Sequence, residues 1–460
     1  MLAAGNDLTA SFVAEIRALA GRELSADVIA VAKLCILDWL GVTIAGADEP
    51  PARMLREEMK TGTTGACTVI ASSSRASPID AALLNGVAGD ALDYSDCIRA
   101  MNGHASATVL PAALAMAEAD GRSGRDFIHA FVVGVETACR IGRLLGEGIL
   151  ATPFHPTAVA GPFGAAAAAA HLLKLDEHQW LAAIGIAATN AAGLAASVGT
   201  MCKPLHAGTA AANGLLAARL AGRGFSGPTA ALKQAGGFLA AHSTAVERGA
   251  LVACRDRYFI RETLLKQHAA CQHAHGSIEN MLRLRDAHAL SADAIKQIRL
   301  EIAESSVRVC DIAAPRTGLE AKFSVRTLAA MALLGVPTGD LAVFNDALVH
   351  SQEVIKLRER IVVEGRSDLD VAVSIAAIEL HDGRVFTART DERDLDLDLD
   401  RRRARACAKF SSLAAPLMSA QATNNLQASV LDLDRATSLE GLLQALPIGA
   451  KPRNCAGLTG

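Results

Sequence analysis

The sequence predicts a mainly helical protein in which a large all-helical domain is interrupted by a smaller α+β lid domain. Three observations support this fold class. Apolar residues recur at helical spacing over roughly the first 250 residues, strand-like alternation begins after Leu265, and the helical pattern returns at Arg401. We therefore expect residues 1–265 and 401–460 to form the helical domain and residues 266–400 to form the lid domain.

The helical domain is expected to have a core of small and aliphatic side chains. Hydrophobic residues make up 51% of the chain, but aromatic residues only 3%. Alanine has the highest helix propensity, so alanine-rich segments favour helices. Predicted helices are a segment that Ser25 caps and that ends near Gly41, and residues 106–119, 125–140 (capped by Ser123 with Asp126), 179–197 and 209–221.

The lid domain is marked by strand patterns. Ile298, Leu300 and Ile302 alternate with polar residues, which is typical of a half-buried strand. Residues 361–363 and 371–380 are further predicted strands, and Asp382-Gly383 before residues 385–387 predicts a two-residue hairpin turn. Helices are expected between these strands at residues 319–334 and 351–360. A helical pattern then runs from residue 401 to residue 418.

Charge and cysteine usage exclude several classes of protein. The formal net charge of −3 lacks the basic footprint of a nucleic-acid partner. Ten scattered cysteines form no CxxC pair, so spacing indicates neither a zinc site nor a disulfide framework. Residues 1–20 lack a signal-peptide pattern, and the most membrane-like stretch, residues 158–173, is too short to span a bilayer. We expect a cytoplasmic protein without a membrane partner.

Two polar clusters in the first half of the chain are candidates for acid–base chemistry. Asp93-Tyr94-Ser95-Asp96 is followed by Asn102-Gly103-His104, and a carboxylate can hold a histidine in one tautomer. The alternative is that Asp96 only caps a turn. Phe154-His155-Pro156-Thr157 forms the second cluster, in which His155 could also be a turn residue satisfied by the backbone.

The third cluster contains Lys203 and His206 between two alanine-rich segments. A buried, unpaired lysine is costly, so Lys203 needs an anion from the protein or from a substrate. The fourth runs from Lys266 through His268, Cys271 and His275 to Glu279. It resembles a metal site at first sight but lacks a zinc signature, and a histidine-bearing mouth for an anionic substrate fits better.

The fifth cluster is Gly318-Leu319-Glu320-Ala321-Lys322-Phe323-Ser324. Glu320 fits an acidic first turn of a helix, whereas Lys322 and Ser324 could face a cleft. Phosphate-binding glycine loops and a GxSxG nucleophile elbow are missing from the sequence. The polar clusters are therefore the candidates for function.

Taken in order, these clusters resemble the MmgE/PrpD family of enzymes that act on small polycarboxylates. The resemblance includes Leu37-Asp38-Trp39-Leu40-Gly41, the DYSD…H loop, Phe154-His155-Pro156-Thr157, Lys203-Pro204-Leu205-His206-Ala207-Gly208, Lys266…Cys271…His275 and Glu320-Ala321-Lys322-Phe323-Ser324. Members catalyse dehydration, decarboxylation or epimerisation. The resemblance implies a homodimer, no required metal or organic cofactor, and a site in the cleft between the helical and lid domains.

Carried over by position, the resemblance implies catalytic roles for five residues: Asp93, His104, His155, Lys203 and His275. It also implies substrate-binding roles for Asp96, Cys97, Met201, His206, Lys266, Lys322 and Thr327. Removing a proton next to a carboxylate requires cationic donors for the charge that develops. Lys203 and protonated histidines can supply them, and a histidine can protonate a departing hydroxyl.

Four departures from the family pattern concern positions that face the substrate. They are Cys97, residues 98–103, residues 268–271 and Thr327, so the general chemistry is expected to be retained while the substrate stays open. The leading hypothesis is a hydro-lyase acting on a di- or tricarboxylate. The alternatives are an epimerase of a substrate such as iminodisuccinate, a decarboxylase of the cis-aconitate type, and a carboxylate-binding protein without turnover.

Overall fold

A computed structural model describes residues 8–60, 62, 64–247, 249–254, 256–394 and 398–449. The chain divides into two compact units, which we treat separately. Unit 1 comprises the described residues of Met1–Leu265 and Ala406–Gly460, and unit 2 comprises those of Lys266–Arg405. The prediction of a mainly helical fold is confirmed. The predicted lack of a signal peptide rests partly on residues 1–7, which lie outside the described residues.

The helices follow one another along the chain with few strands between them. They are α1 (Leu8–Ala20), α2 (Ala26–Gly46), α3 (Pro50–Glu58), α4 (Pro78–Asp90), α5 (Ala105–Ala119), α6 (Gly124–Leu145), α7 (Pro156–Leu172), α8 (Glu177–Thr189), α9 (Cys202–Gly222), α10 (Phe238–His242), α11 (Ala250–Ala253), α12 (His275–His288), α13 (Glu304–Cys310), α14 (Gly318–Ala321), α15 (Val325–Leu333), α16 (Asp346–Val349), α17 (Gln352–Arg358), α18 (Leu399–Ala414), α19 (Ala420–Leu431) and α20 (Glu440–Ala445). The strands are β1 (Cys67–Thr68), β2 (Arg75–Ala76), β3 (Ile295–Ala303), β4 (Ile361–Arg366), β5 (Val373–Leu380) and β6 (Val385–Asp391).

Unit 1 is built around helices that pack closely because their facing residues are small. Alpha helices α7 and α9 are in contact, and α7 also packs on α5 and α6. Gly134 of α6 faces Gly164 of α7, and a Cβ atom at Gly134 would lie only 2.4 Å from Val109 Cγ1 and 2.7 Å from the Gly164 carbonyl oxygen. With few aromatic residues in the chain, close backbone approach replaces large side chains in filling this core.

We expect Gly134→Val to destabilise unit 1 by about 3 kcal/mol or more, because the added atoms overlap the backbone of α7 as well as Val109. Urea unfolding followed by the fluorescence of the two tryptophans, Trp39 and Trp180, measures this loss, since both lie in unit 1. Gly441→Ala is the control, because no atom lies within 4 Å of a Cβ at Gly441. Equal stability of the two variants would contradict the role of close α6–α7 packing.

Helix positions in unit 1 agree with the sequence better than helix ends. The predicted helices at 106–119 and 125–140 are confirmed, and Ser123 and Asp126 form a reciprocal capping box on α6. The predicted stop near Gly41 is wrong: α2 continues to Gly46, and a Cβ at Gly41 would lie 3.0 Å from Phe410 Cδ2. Gly41 thus makes room for a neighbour and does not end the helix. Ser25 precedes α2 but makes no side-chain cap.

Two other predictions for unit 1 need correction. Helix α8 ends at Thr189, so residues 190–197 are not part of it, and α9 begins at Cys202, seven residues before the predicted start. The short ribbon of β1 and β2 was not predicted, because two-residue strands are too short to show alternation.

Among the described residues, one helix is long and apolar enough to cross a membrane. This helix is α2, and most of its residues are buried inside unit 1. The prediction that residues 158–173 are the most membrane-like stretch is therefore wrong. All but the last of those residues lie in the 17-residue α7, and the interpretation of that segment as a buried helix is confirmed.

Unit 2 contains a four-stranded sheet in the order β4-β3-β5-β6. Strand β3 pairs in parallel with β4 and antiparallel with β5, and α12 packs on β5 and β6. The predicted strands are confirmed, with Ile298, Leu300 and Ile302 on the buried face. The β5–β6 hairpin is confirmed as well, but its turn has three residues: Leu380 N donates to Arg384 O, and Gly383 takes a φ of +87°.

The predicted helix at residues 319–334 is interrupted in unit 2. Alpha helix α14 ends at Ala321, and α15 starts at Val325. Ser324 breaks the helix because its hydroxyl accepts a hydrogen bond from the Thr327 backbone N–H and so caps α15.

Candidate active site

The loop between α4 and α5 carries the first predicted cluster of polar residues. Asp93 lies three residues after the end of α4 and takes a left-handed conformation with a φ of +52°. Asn102 does the same with a φ of +54°, and Ile98 N donates to Gly103 O, which closes the loop. The left-handed residues turn the chain twice, and His104 consequently lies at the N-terminal end of α5.

Lys203 lies in the first turn of α9 and is buried. Its Nζ atom is 2.5 Å from Asp93 Oδ1, 3.2 Å from Asp90 Oδ2 and 3.4 Å from His104 Nε2. An ammonium group has three protons, and these three partners can use all of them. The prediction that Lys203 needs an anion is therefore confirmed, and the anions are carboxylates of the protein.

Two effects act on the pKa of Lys203 in opposite directions. Burial alone lowers the pKa, because it disfavours the charged form. The carboxylates of Asp90 and Asp93 outweigh burial and raise the pKa above its ordinary value. Lys203 is consequently charged at neutral pH.

His104 is held in one orientation by its two ring nitrogens. Nδ1 lies 2.7 Å from the Asp96 carbonyl oxygen, which can only accept, so Nδ1 carries a proton. Nε2 faces the Lys203 ammonium, which can only donate, so Nε2 presents its lone pair. The backbone N–H of His104 donates to Thr157 Oγ1 at the start of α7. His104 is therefore a neutral imidazole with its basic nitrogen directed at Lys203.

Asp96, whose backbone carbonyl accepts from His104, is itself buried in unit 1. Its carboxylate accepts a hydrogen bond from the Ser106 hydroxyl in α5, and its side chain is buried. Burial raises the pKa of Asp96 to about 7, and the nearby Asp38 carboxylate adds to the rise. Asp38 in turn lies 2.7 Å from Lys409 Nζ. The structure thus places Asp96 in a buried network, whereas a substrate-binding role stays a prediction.

His155 directly precedes α7, and its backbone N–H donates to the Gly193 carbonyl. Its Nδ1 atom lies 3.2 Å from Nδ1 of His206 in α9. Burial, followed by the positive charge of Lys203, holds the pKa of His155 well below its ordinary value. His155 is therefore neutral at physiological pH and can accept a proton.

The other predicted substrate contacts of unit 1 lie around the same elements. Cys97 is half-buried, with Sγ 3.7 Å from His104 Nδ1, and its backbone pairs with Leu264. Met201 precedes α9 and is 49% exposed, so its side chain is free of the core.

Unit 2 carries the remaining predicted residues. His275 is the first residue of α12, with Nε2 3.3 Å from the Ala270 carbonyl oxygen. His268 packs edge-on against His275, with ring centroids 4.9 Å apart, and its Nε2 lies 3.3 Å from the Glu279 carboxylate. His268 thus contacts both His275 and Glu279, which lie one turn apart on α12.

Lys266, Lys322 and Thr327 are all buried in unit 2. Lys322 Nζ lies 5.3 Å from the centre of the Phe344 ring. The Thr327 hydroxyl accepts a hydrogen bond from Ser324, so it takes part in the cap of α15. Contact of these three residues with a substrate stays a prediction.

Asp90 is the functional candidate that the sequence analysis missed. It is the last residue of α4, is 1% exposed, and shares Lys203 with Asp93. Its signal was weak but present, because Asp90 is an acidic residue at the end of the apolar run Ala81–Ala88, one turn before Asp93. Ser106 and Lys409 were also missed.

The cluster of Asp90, Asp93, His104 and Lys203 suits proton transfer better than the binding of anions. Two carboxylates meet one ammonium group, so the charged groups do not give a net positive site. A neutral histidine base and a cationic proton donor stand side by side. In the part of the chain that the structure describes, no group of three His, Cys, Asp or Glu side chains is arranged to hold a metal ion.

A cavity of about 280 Å³ in unit 1 shares no lining residue with this cluster. It is lined at the ends of α1 and α6 by Arg22, Arg125 and His129, among others. The arrangement of acid–base groups therefore identifies the candidate site, and the cavity does not.

Comparison with known proteins tests the resemblance to the MmgE/PrpD family. The model of the MmgE/PrpD N-terminal domain matches residues 8–248, and the model of the MmgE/PrpD C-terminal domain matches residues 268–435. Cis-aconitate decarboxylase of Aspergillus terreus (strain NIH 2624 / FGSC A1156) is 28% identical over 459 residues, covering 93% of each chain. The human and Mus musculus cis-aconitate decarboxylases are each 29% identical, covering 84% of this chain and 83% and 82% of their own. With both domain models matched over most of its length, the chain belongs to the MmgE/PrpD family.

Proposed function

We propose that the protein is a cofactor-independent lyase that acts on a small di- or tricarboxylate, with dehydration as the first candidate reaction. Family membership and the relatives support the broader assignment to lyases on small carboxylates. The observation that supports the chemistry is the cluster in which Lys203 joins Asp90, Asp93 and the basic nitrogen of His104.

In the proposed dehydration, His155 removes the proton next to a substrate carboxylate. Its lowered pKa keeps it neutral, which a base requires. The electron pair of the broken C–H bond forms the new double bond as the carbon–oxygen bond to the hydroxyl breaks. Lys203, whose ammonium group lies against His104, can deliver a proton to the departing oxygen, so that it leaves as water.

Decarboxylation is the second candidate, and the similarity to cis-aconitate decarboxylases favours it. In that reaction the carbon–carbon bond to one carboxylate breaks, carbon dioxide leaves, and the electron pair stays on carbon. A proton from the Lys203–His104 pair would then complete the product. The same groups serve both reactions, because each needs a proton delivered to an atom on which negative charge develops.

Epimerisation stays an alternative, since it also begins with removal of this proton. We further propose that the protein is a cytoplasmic homodimer, as the family resemblance implies. Carboxylate binding by Lys266, Lys322 and His275 is part of the same proposal.

Proton NMR in D2O with 2-methylcitrate, cis-aconitate and iminodisuccinate tests the proposal. We expect lyase turnover of at least one substrate: a new alkene signal from 2-methylcitrate indicates dehydration, and an itaconate-like product with loss of carbon dioxide indicates decarboxylation. Deuterium incorporation with an intact skeleton would instead identify an epimerase. Binding without turnover of any of the three would contradict the proposed lyase on these substrates.

A further inference from the structure

A pair of histidines in unit 1 connects the candidate base to a more accessible position. His155 is buried, whereas its partner His206 on α9 is half-buried. Their Nδ1 atoms are 3.2 Å apart, and the two rings are tilted by 39°. The proposed dehydration uses His155 but gives no role to His206.

The distance between the two nitrogens determines how many protons lie between them. Two protons would clash, and two lone pairs would repel at hydrogen-bond distance, so one proton is shared. The two neutral rings must therefore have complementary tautomers. If His155 donates from Nδ1, its Nε2 is a base; if His206 donates, the His155 Nε2 carries the proton.

The surroundings keep both rings neutral. The groups that act on His155 are Lys203, His104, His206 and Asp93, and those that act on His206 are Asp90 and Lys203. Burial is the largest influence on each, and the pKa of each histidine lies below its ordinary value. Because a second proton on either ring is disfavoured, a histidine that takes one up readily transfers a proton to its partner or to solvent.

The segment of residues 193–197 packs against the His206 ring. Gly193 has a φ of +152°, and a Cβ there would lie 3.0 Å from both Cε1 and Nε2 of His206. The glycine thus lets the backbone lie against the imidazole. Ser197 Oγ lies 3.4 Å from His206 Nδ1, so the same segment contacts the ring twice.

We propose that His206 relays protons between His155 and solvent, which rests on the proposed function of His155 as a base. When His155 Nε2 takes the substrate proton, the proton on His155 Nδ1 passes to His206 Nδ1. His206 then releases the proton of its Nε2 to water. One proton enters the pair and one leaves, no electrons move, and both rings end neutral in the opposite tautomers. The pair resets after the product leaves: water protonates His206 Nε2, the shared proton returns to His155 Nδ1, and His155 Nε2 releases its proton to water in the emptied site.

His206→Leu is expected to lower kcat by about 100-fold with little change in KM, because proton transfer and not binding is impaired. Added imidazole should restore part of the rate in proportion to its concentration, since a small base can replace the missing ring. His178→Leu, at an exposed position of α8, is the matched control and should behave as wild type. A loss of rate that imidazole does not restore, or a change confined to KM, would overturn the relay.

A second measurement does not depend on turnover, so it separates the relay from the proposed function. In protein labelled with 15N at histidine, two-bond 1H–15N spectra report the tautomer of each ring. We expect one of His155 and His206 to be protonated at Nδ1 and the other at Nε2, and His206→Asn to change the spectrum of His155. Protonation of both rings at Nε2, or an unchanged His155 in the variant, would exclude the shared proton even if the wild-type protein is an active lyase.

Discussion

Replacing Lys203 with methionine is expected to lower kcat/KM by at least about 1000-fold, equivalent to about 4 kcal/mol of transition-state stabilisation. Methionine fills similar space but cannot donate to Asp93, Asp90 and His104. The variant therefore loses the proton donor and leaves two buried carboxylates facing a histidine. Steady-state kinetics with the substrate identified by NMR measures the loss.

The matched control is Lys33→Met. Lys33 is also a partly buried lysine, and its Nζ atom is 2.6 Å from Asp434 Oδ1 and 2.6 Å from the Leu431 carbonyl oxygen. It has no contact with the candidate site, so kcat/KM should stay within about three-fold of wild type even if stability falls.

Because Lys203→Met leaves buried carboxylates unpaired, loss of folding must be separated from loss of chemistry. The double variant Lys203→Met with Asp93→Asn reduces the unpaired charge and should recover stability without recovering activity. Retained turnover in a folded Lys203→Met protein would rule out a catalytic role for this residue.

Replacing Glu136 with glutamine is expected to destabilise unit 1 by about 3–5 kcal/mol, because it leaves a buried guanidinium without its main counter-charge. Glu136 and Arg140 are both fully buried in α6, with Oε2 2.6 Å from Nη1. Glu136 also accepts from the backbone of Ile260, and Arg140 donates to the carbonyls of Cys254 and Arg257. The pair thus joins α6 to the segment at residues 254–260.

Urea unfolding followed by tryptophan fluorescence measures this loss, as for Gly134. Arg140 also pairs with Glu15, whose side chain is 13% exposed, so the control is the triple variant Glu136→Met, Arg140→Met and Glu15→Gln, which leaves no unpaired charge. We expect it to be more stable than Glu136→Gln. If the two variants were equally unstable, hydrogen bonds to the backbone, and not the buried charge, would dominate the energetics of this pair.

Local sequence patterns predicted most regular elements correctly but misplaced their ends. Alternation of Ile298, Leu300 and Ile302 was sufficient for β3, because one face of that strand is buried. Gly41 was misread as a stop, since a glycine that admits a neighbouring side chain looks the same in sequence as one that ends a helix. Ser324 was overlooked as a cap because the apolar pattern continues across it.

The sequence by itself determined the mainly helical fold, the strands of unit 2 and the polar clusters, because periodicity and residue type depend on near neighbours. Only the tertiary structure decided the partners within those clusters. Lys203 meets Asp93 across 110 residues, and His155 meets His206 across 51. Such pairings depend on which helices approach each other and at what distance, and small-residue packing of α4, α7 and α9 sets both. A lysine in an apolar segment predicts a carboxylate partner, because burying its charge unpaired is costly. Which carboxylate it meets depends on how the helices pack.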